Sequence, residues 1–144
     1  MAKYLITQLG GPAGELGAAL RYFSQKFAMP DEMGQALLND IACEELGHCE
    51  MIGTMFRQLI KDASLDELEA AGLGGYFTDH GKGVYPVDAS GNPFSALTFN
   101  STGDILADLS EDMAAEEKAR ATYEHLIDLA NDDDVIQPLL FLRQ

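Results

Sequence analysis

The chain has 144 residues, with 24 acidic and 9 basic side chains for a formal charge of −15, and is 47% apolar and 8% aromatic. That length suits one domain, and the apolar share supports a packed core rather than disorder. The negative field repels phosphate backbones and anionic bilayers, so nucleic acid and membrane are not expected partners, whereas cations are compatible with it.

No run approaches the ~18 apolar residues of a membrane span, and the opening MAKYLITQLGG has neither the basic start nor the long apolar stretch of a signal peptide. An intracellular, cytoplasmic protein is expected. Cys43 and Cys49 stand six apart in one predicted helix, on different faces and outside any Cys-x-x-Cys pattern. They read as small apolar helix residues, not as a disulfide.

In chain order, the first predicted helix runs from about Glu15 to Ala28, after Gly10, Gly11, Pro12 and Gly14, with Leu16, Leu20, Phe23 and Phe27 as its apolar row. The second spans 31–61, its start marked by Pro30, Asp31 and Glu32. Residues 63–103 read as a long irregular connection, relieved by a short helix at 65–71 that Ser64 and Glu67 cap and Gly72 stops. A connection this long predicts a lid or a strap buried against a neighbouring subunit. The third helix spans 104–131. A fourth begins at 135, contains Pro138 and reaches residue 144. Ten helical residues extend about 15 Å, against roughly 40 Å for a 27-residue partner. The expected fold is all-α, a single domain over 1–144 built as a four-helix bundle with a truncated fourth helix.

Polar residues interrupt the apolar seams. In the second helix the seam reads Leu38, Ile41, Glu45, His48, Ile52, Met55 and Leu59; in the third it reads Leu106, Leu109, Met113, Glu116, Arg120, Tyr123, Ile127 and Ala130. Glu117 instead aligns with Ser110, Ala114, Ala121, Glu124 and Asp128, a solvent row, so spacing selects Glu116 as the inward acid. Glu15 opens the first helix, and Tyr22 shares its face. Each has an ordinary reading: a structural core histidine, an internal Glu116/Arg120 pair, a solvated N-terminal acid. Together they predict acids from three helices converging on one interior. Buried carboxylates cost several kcal/mol each, and divalent metal relieves that cost. Ferritin-like bundles hold two metals with single glutamates on two helices and Glu-x-x-His on the others. Glu45-Leu46-Gly47-His48 is one such motif, Glu15 and Glu116 are the singles, and a second Glu-x-x-His is missing.

Three stretches carry a family likeness: Gly14-Glu15-Leu16 through Arg21-Tyr22; Asp40 to His48, which holds Glu44-Glu45-Leu46-Gly47-His48; and Glu111 to Arg120. On these the sequence resembles the manganese catalases, in particular their spore-coat members, over essentially the whole chain. The resemblance implies a ferritin-like bundle with two manganese ions. Glu15 and His48 would bind one ion, Glu45 would bridge the pair, Glu116 would bind the second, and Tyr22 would hydrogen-bond near the bridge. It also implies disproportionation of hydrogen peroxide, a homo-oligomer, hexameric in the family, and a place in the cytoplasm or the spore coat. Because the same donors accept iron, a ferritin-like iron-binding oxidase is one alternative. A structural coat component with little turnover is the other. The family's fourth-helix histidine has no counterpart before Gln144, and the chain reads as shortened at both ends. His80 falls in the connection, His125 lies on the opposite helix face from Glu116, and Ala115 stands where some members carry arginine.

Overall fold

The computed structural model describes residues 1–81 and 83–144, with the side chains of Tyr76, Asp79 and His80 outside that description. The fold is all-α. The chain opens with a helix absent from the sequence reading, α1 (Ala2–Gly10), whose Leu5, Ile6 and Leu9 are buried. Three helices of the bundle follow the predicted order: α2 (Glu15–Gln25), α3 (Glu32–Ile60) and, after the long connection, α6 (Ile105–Leu129). The connection holds α4 (Leu65–Ala70) and α5 (Gly74–His80), and the chain closes with α7 (Asp133–Leu142), a fourth member of only ten residues.

Local chemistry fixes the helix starts. The Asp31 carboxylate accepts from Gly34 N at 2.8 Å to begin α3, Asp104 accepts from Ala107 N at 3.0 Å to begin α6, and Asp132 accepts from Asp134 N at 2.9 Å to begin α7. The expected capping box is present, with Ser64 and Glu67 satisfying each other's backbone groups at the start of α4. The first predicted helix ends earlier than expected. Beyond Gln25 it tightens into a 3₁₀ turn over Lys26–Ala28.

The expectation that 63–103 is loop beyond one short helix needs correction. Residues Gly74–His80 form α5, and Leu68, Leu73, Phe77 and Val87 join the core of this same chain. Part of the segment packs on α1. Ala89 N donates to Thr7 Oγ1 at 3.0 Å, and a Cβ at Gly10 would lie 2.1 Å from the Pro86 carbonyl carbon.

Two apolar clusters flank a polar layer. The larger gathers Leu5, Ile52, Phe56, Leu126 and Leu139; the smaller gathers Tyr22, Met29, Leu38 and Ala42. Along α3, Ala42 belongs to one cluster and Ile52 to the other, so Glu45 and His48 fall between them. No described helix is long and apolar enough to cross a membrane.

The seams also differ from expectation. On the first predicted helix, Leu20, Phe23 and Phe27 are exposed, while Glu15, Ala19, Arg21, Tyr22 and Gln25 turn inward. On α6, Leu106 and Met113 are exposed, and Asp108, Asp112, Tyr123 and Leu126 are buried. Arg120, expected in the seam, is exposed and pairs with Glu117 at 3.0 Å and Glu124 at 2.9 Å rather than with Glu116. Cys43 and Cys49 are free thiols as expected, but Cys43 is exposed instead of packed.

Candidate metal centre

Glu15 is the first residue of α2, where Gly14 ends the turn from α1 in an extended conformation (φ −88°, ψ 171°). A side chain at Gly14 would meet the carbonyl oxygens of Thr7 at 2.7 Å and Gln8 at 2.8 Å, so only glycine permits α1 and α2 to cross this closely. The crossing aims Glu15 inward, where it is 5% exposed. Glu45 and His48, three residues apart, present their donors from one face of α3.

These residues meet. His48 Nδ1 lies 3.2 Å from Glu45 Oε2 and 3.5 Å from Glu15 Oε2. One donor atom from each of the three sits within 4.8 Å of the others. The second oxygen of Glu15, Oε1, accepts a hydrogen bond from the buried Tyr123 hydroxyl. Glu116, the fourth expected ligand, is not part of that tight group. Expected as the inward acid, it is instead exposed, and its Oε1 accepts from the Tyr22 hydroxyl at the edge of the same layer.

Burial and crowding distort the acid–base properties. Desolvation, reinforced by the neighbouring Glu45, pushes Glu15 up to about 8. Hydrogen bonds to Glu15 and Glu45 push His48 up to about 10. Burial also acts on Glu45, but its hydrogen bonds to His48 and Glu15 outweigh it and hold that carboxylate below the ordinary range. Glu116 is raised, first by desolvation and then by the Glu45 charge. Tyr22 is raised strongly, by burial and by the carboxylate it serves, and remains a phenol throughout the physiological range. Two carboxylates and an imidazole held this close fit a hard or borderline divalent cation, whose charge offsets the burial and the Glu45 repulsion that otherwise keep a proton on Glu15.

Small molecules can reach the layer. A groove of about 550 Å³ opens over Glu15, Glu45, His48 and Glu116, with Leu37 and Met113 on its apolar rim. A narrower crevice of about 100 Å³ touches Glu15, Tyr22, Glu45 and Glu116 from the Arg21 side. Behind Tyr22, Arg21 pairs with Glu111 at 2.6 Å, and Gln25 donates to Asp112 at 3.1 Å and to Ser101 at 3.0 Å.

The structure thus brings together Glu15, Glu45 and His48, and places Tyr22 against Glu116. His125 is exposed, away from the layer, while His80 ends α5 instead of lying in a loop. Sequence reasoning missed the role of Tyr123, reading it as a seam residue. Its signal is present nonetheless: Glu15 to Tyr22 and Glu116 to Tyr123 are the same Glu-x₆-Tyr spacing on two helices.

The family described as manganese containing catalase matches residues 1–144. Protein CotJC of Bacillus subtilis (strain 168) is 50% identical over 144 residues, covering 100% of this chain and 76% of CotJC. A manganese catalase of Bacillus subtilis is 36% identical, covering 98% of this chain and 56% of that protein. The crystal structure of KatB, a manganese catalase from Anabaena PCC7120, superposes with a TM-score of 0.86 at 38% identity, over 99% of this chain and 64% of KatB. The chain therefore spans less than two thirds of both catalases.

Proposed function

The chain belongs to the manganese-containing catalase family, and from that premise we propose that it disproportionates hydrogen peroxide to dioxygen and water at a dinuclear manganese site. The observation that carries the reading is the meeting of Glu15, Glu45 and His48 donors within 4.8 Å beneath an open groove. In this reading Glu15 and His48 would hold one ion, Glu116 would hold the second, and Glu45 would serve both. Two manganese ions, each changing by one unit, would supply the two-electron exchange with peroxide.

The residues of the chain set the conditions for that exchange. Glu45, whose contacts with His48 and Glu15 favour its ionised form, is suited to bridging because both its oxygens are free of a proton and can act as donors. Tyr22 keeps its proton and donates it to Glu116, fixing that carboxylate without competing as an acid. The groove over these acids is large enough to admit a substrate the size of peroxide. Residues 1–144 are proposed to act as one ferritin-like domain, assembled as a homo-oligomer, with the hexamer of the family as its form.

A second reading is a spore-coat component with little turnover, favoured by the 50% identity to CotJC and by the exposed Leu20, Phe23 and Phe27 row. A ferritin-like oxidase using iron is the third, since the donor set also accepts that metal. Metal analysis of protein from manganese-supplied cells, combined with oxygen evolution from peroxide in the presence of azide, separates them. Manganese with azide-resistant oxygen release supports the catalase; iron with ferroxidase turnover, or neither metal nor turnover, overturns it.

A further inference from the structure

The bonds between α2 and α6 form an antiparallel ladder. Tyr123 donates to Glu15, Tyr22 donates to Glu116, and Gln25 donates to Asp112. The first two rungs are reciprocal. Each helix supplies one glutamate and, seven residues later, one tyrosine; because the helices run in opposite directions, each tyrosine reaches the other helix's glutamate. Both phenols are deeply buried, Tyr22 at 2% and Tyr123 at 1% exposure.

Each phenol also selects an oxygen. Tyr123 occupies Glu15 Oε1, while Glu15 Oε2 faces His48 Nδ1 at 3.5 Å. Tyr22 occupies Glu116 Oε1 in the same manner. A carboxylate oxygen already accepting from a phenol is the poorer donor, so the other oxygen is the one better placed for a cation. We infer that Tyr123 is a positioning residue for Glu15, the counterpart of Tyr22 for Glu116, and that the pair makes both terminal glutamates bind metal through a single oxygen. This arrangement keeps a coordination position free at each ion for a small ligand, and the inference rests on the metal-centre reading above.

The consequence is separable control of two ions. Tyr123→Phe keeps the ring and its packing but frees Glu15 Oε1, so the ion held by Glu15 and His48 should bind about 10–100-fold more weakly, the range for loss of a hydrogen bond to a metal ligand. Tyr22→Phe should weaken the other ion by a similar factor, and the double variant should weaken both.

The test is titration of the full chain with Mn²⁺, following free ion by electron paramagnetic resonance, beside thermal melts of the metal-free proteins. A purely structural role for Tyr123 would lower the melting temperature of Tyr123→Phe yet leave the affinity of its folded form unchanged, and that result overturns the assignment. If Tyr123→Phe does not fold, Tyr22→Phe still decides. The chain has no tryptophan and five tyrosines, so Mn²⁺ binding to Glu15 should produce a tyrosine difference spectrum of which part survives in Tyr22→Phe. A Tyr22→Phe protein that binds metal with no tyrosine perturbation overturns the assignment. Failure of the wild type to take up Mn²⁺ overturns the metal-centre reading as well, whereas uptake unaffected by Tyr123→Phe overturns this inference alone.

Discussion

Gln25 of α2 donates to Asp112 of α6 at 3.1 Å, and both side chains are buried, yet Gln25 Oε1 and Asp112 Oδ2 have no hydrogen-bond partner among the described residues. Burial, assisted by the Glu111 and Asp108 charges, lifts Asp112 from 3.8 to about 6. Its folded-state value is above the unfolded one, so the fold favours the protonated acid. That contribution is complete below about pH 4 and is lost as pH rises through about 6. Asp112→Asn mimics the protonated form at every pH. The stability gap between Asp112→Asn and wild type should therefore widen from pH 4 to 6 and level off at on the order of 2–3 kcal/mol. Urea melts across this range measure it; a gap independent of pH would contradict the assignment.

Metal loading should displace protons. Glu15, at about 8, and His48, at about 10, both hold protons at neutral pH in metal-free protein, and both must shed them to serve as ligands. Affinity for Mn²⁺ should rise most steeply below about pH 8, more gently between about 8 and 10, and not at all above. Calorimetry at pH 7 in buffers of different ionisation enthalpy should register release of about two protons for the ion bound there. No release would mean these residues are not ligands.

Glu45→Gln retains volume and removes the charge that both His48 and Glu15 contact. Metal content should fall at least about tenfold, while far-UV circular dichroism keeps its helical signal. Unchanged metal content would end the bridging role.

Gly10 closes α1 directly against the Pro86 backbone, where a Cβ would lie 2.1 Å from the carbonyl carbon and 2.2 Å from Val87 N. Backbone cannot yield as a side chain can. Gly10→Ala should destabilise by about 1–3 kcal/mol and raise protease sensitivity around residues 83–94, as read by limited digestion.

How much of this was legible in the sequence depended on what each residue meets. Glu45 and His48 stood out because α3 carries them between apolar seam residues that do pack, Leu38 and Ile52. Caps were equally readable, since Ser64 and Glu67 satisfy each other within four residues. The apolar row of α2 misled. Leu20, Phe23 and Phe27 have the right spacing for a core, but the helix buries its polar side because Tyr22, Gln25 and Arg21 all find partners on α6 about ninety residues away. Hydropathy records the cost of burying a polar group and not the distant partner that offsets it. The same holds for Asp108, which is buried because Thr102 N, Thr102 Oγ1 and Gly103 N all donate to it. Helices α1 and α5 were missed for a simpler reason: each is under ten residues, too short for a repeat to declare itself, and α5 begins with Gly74 and Gly75.

The crossing at Gly14 couples the long excursion after α3 to the first acid of the site. Pro86 and Ala89 grip α1 at Gly10 and Thr7, the carbonyls of Thr7 and Gln8 bear on Gly14, and the next residue is Glu15. A stretch some seventy positions downstream in sequence thereby governs the angle at which that glutamate enters the interior. Changes there could retune the centre without altering any ligand.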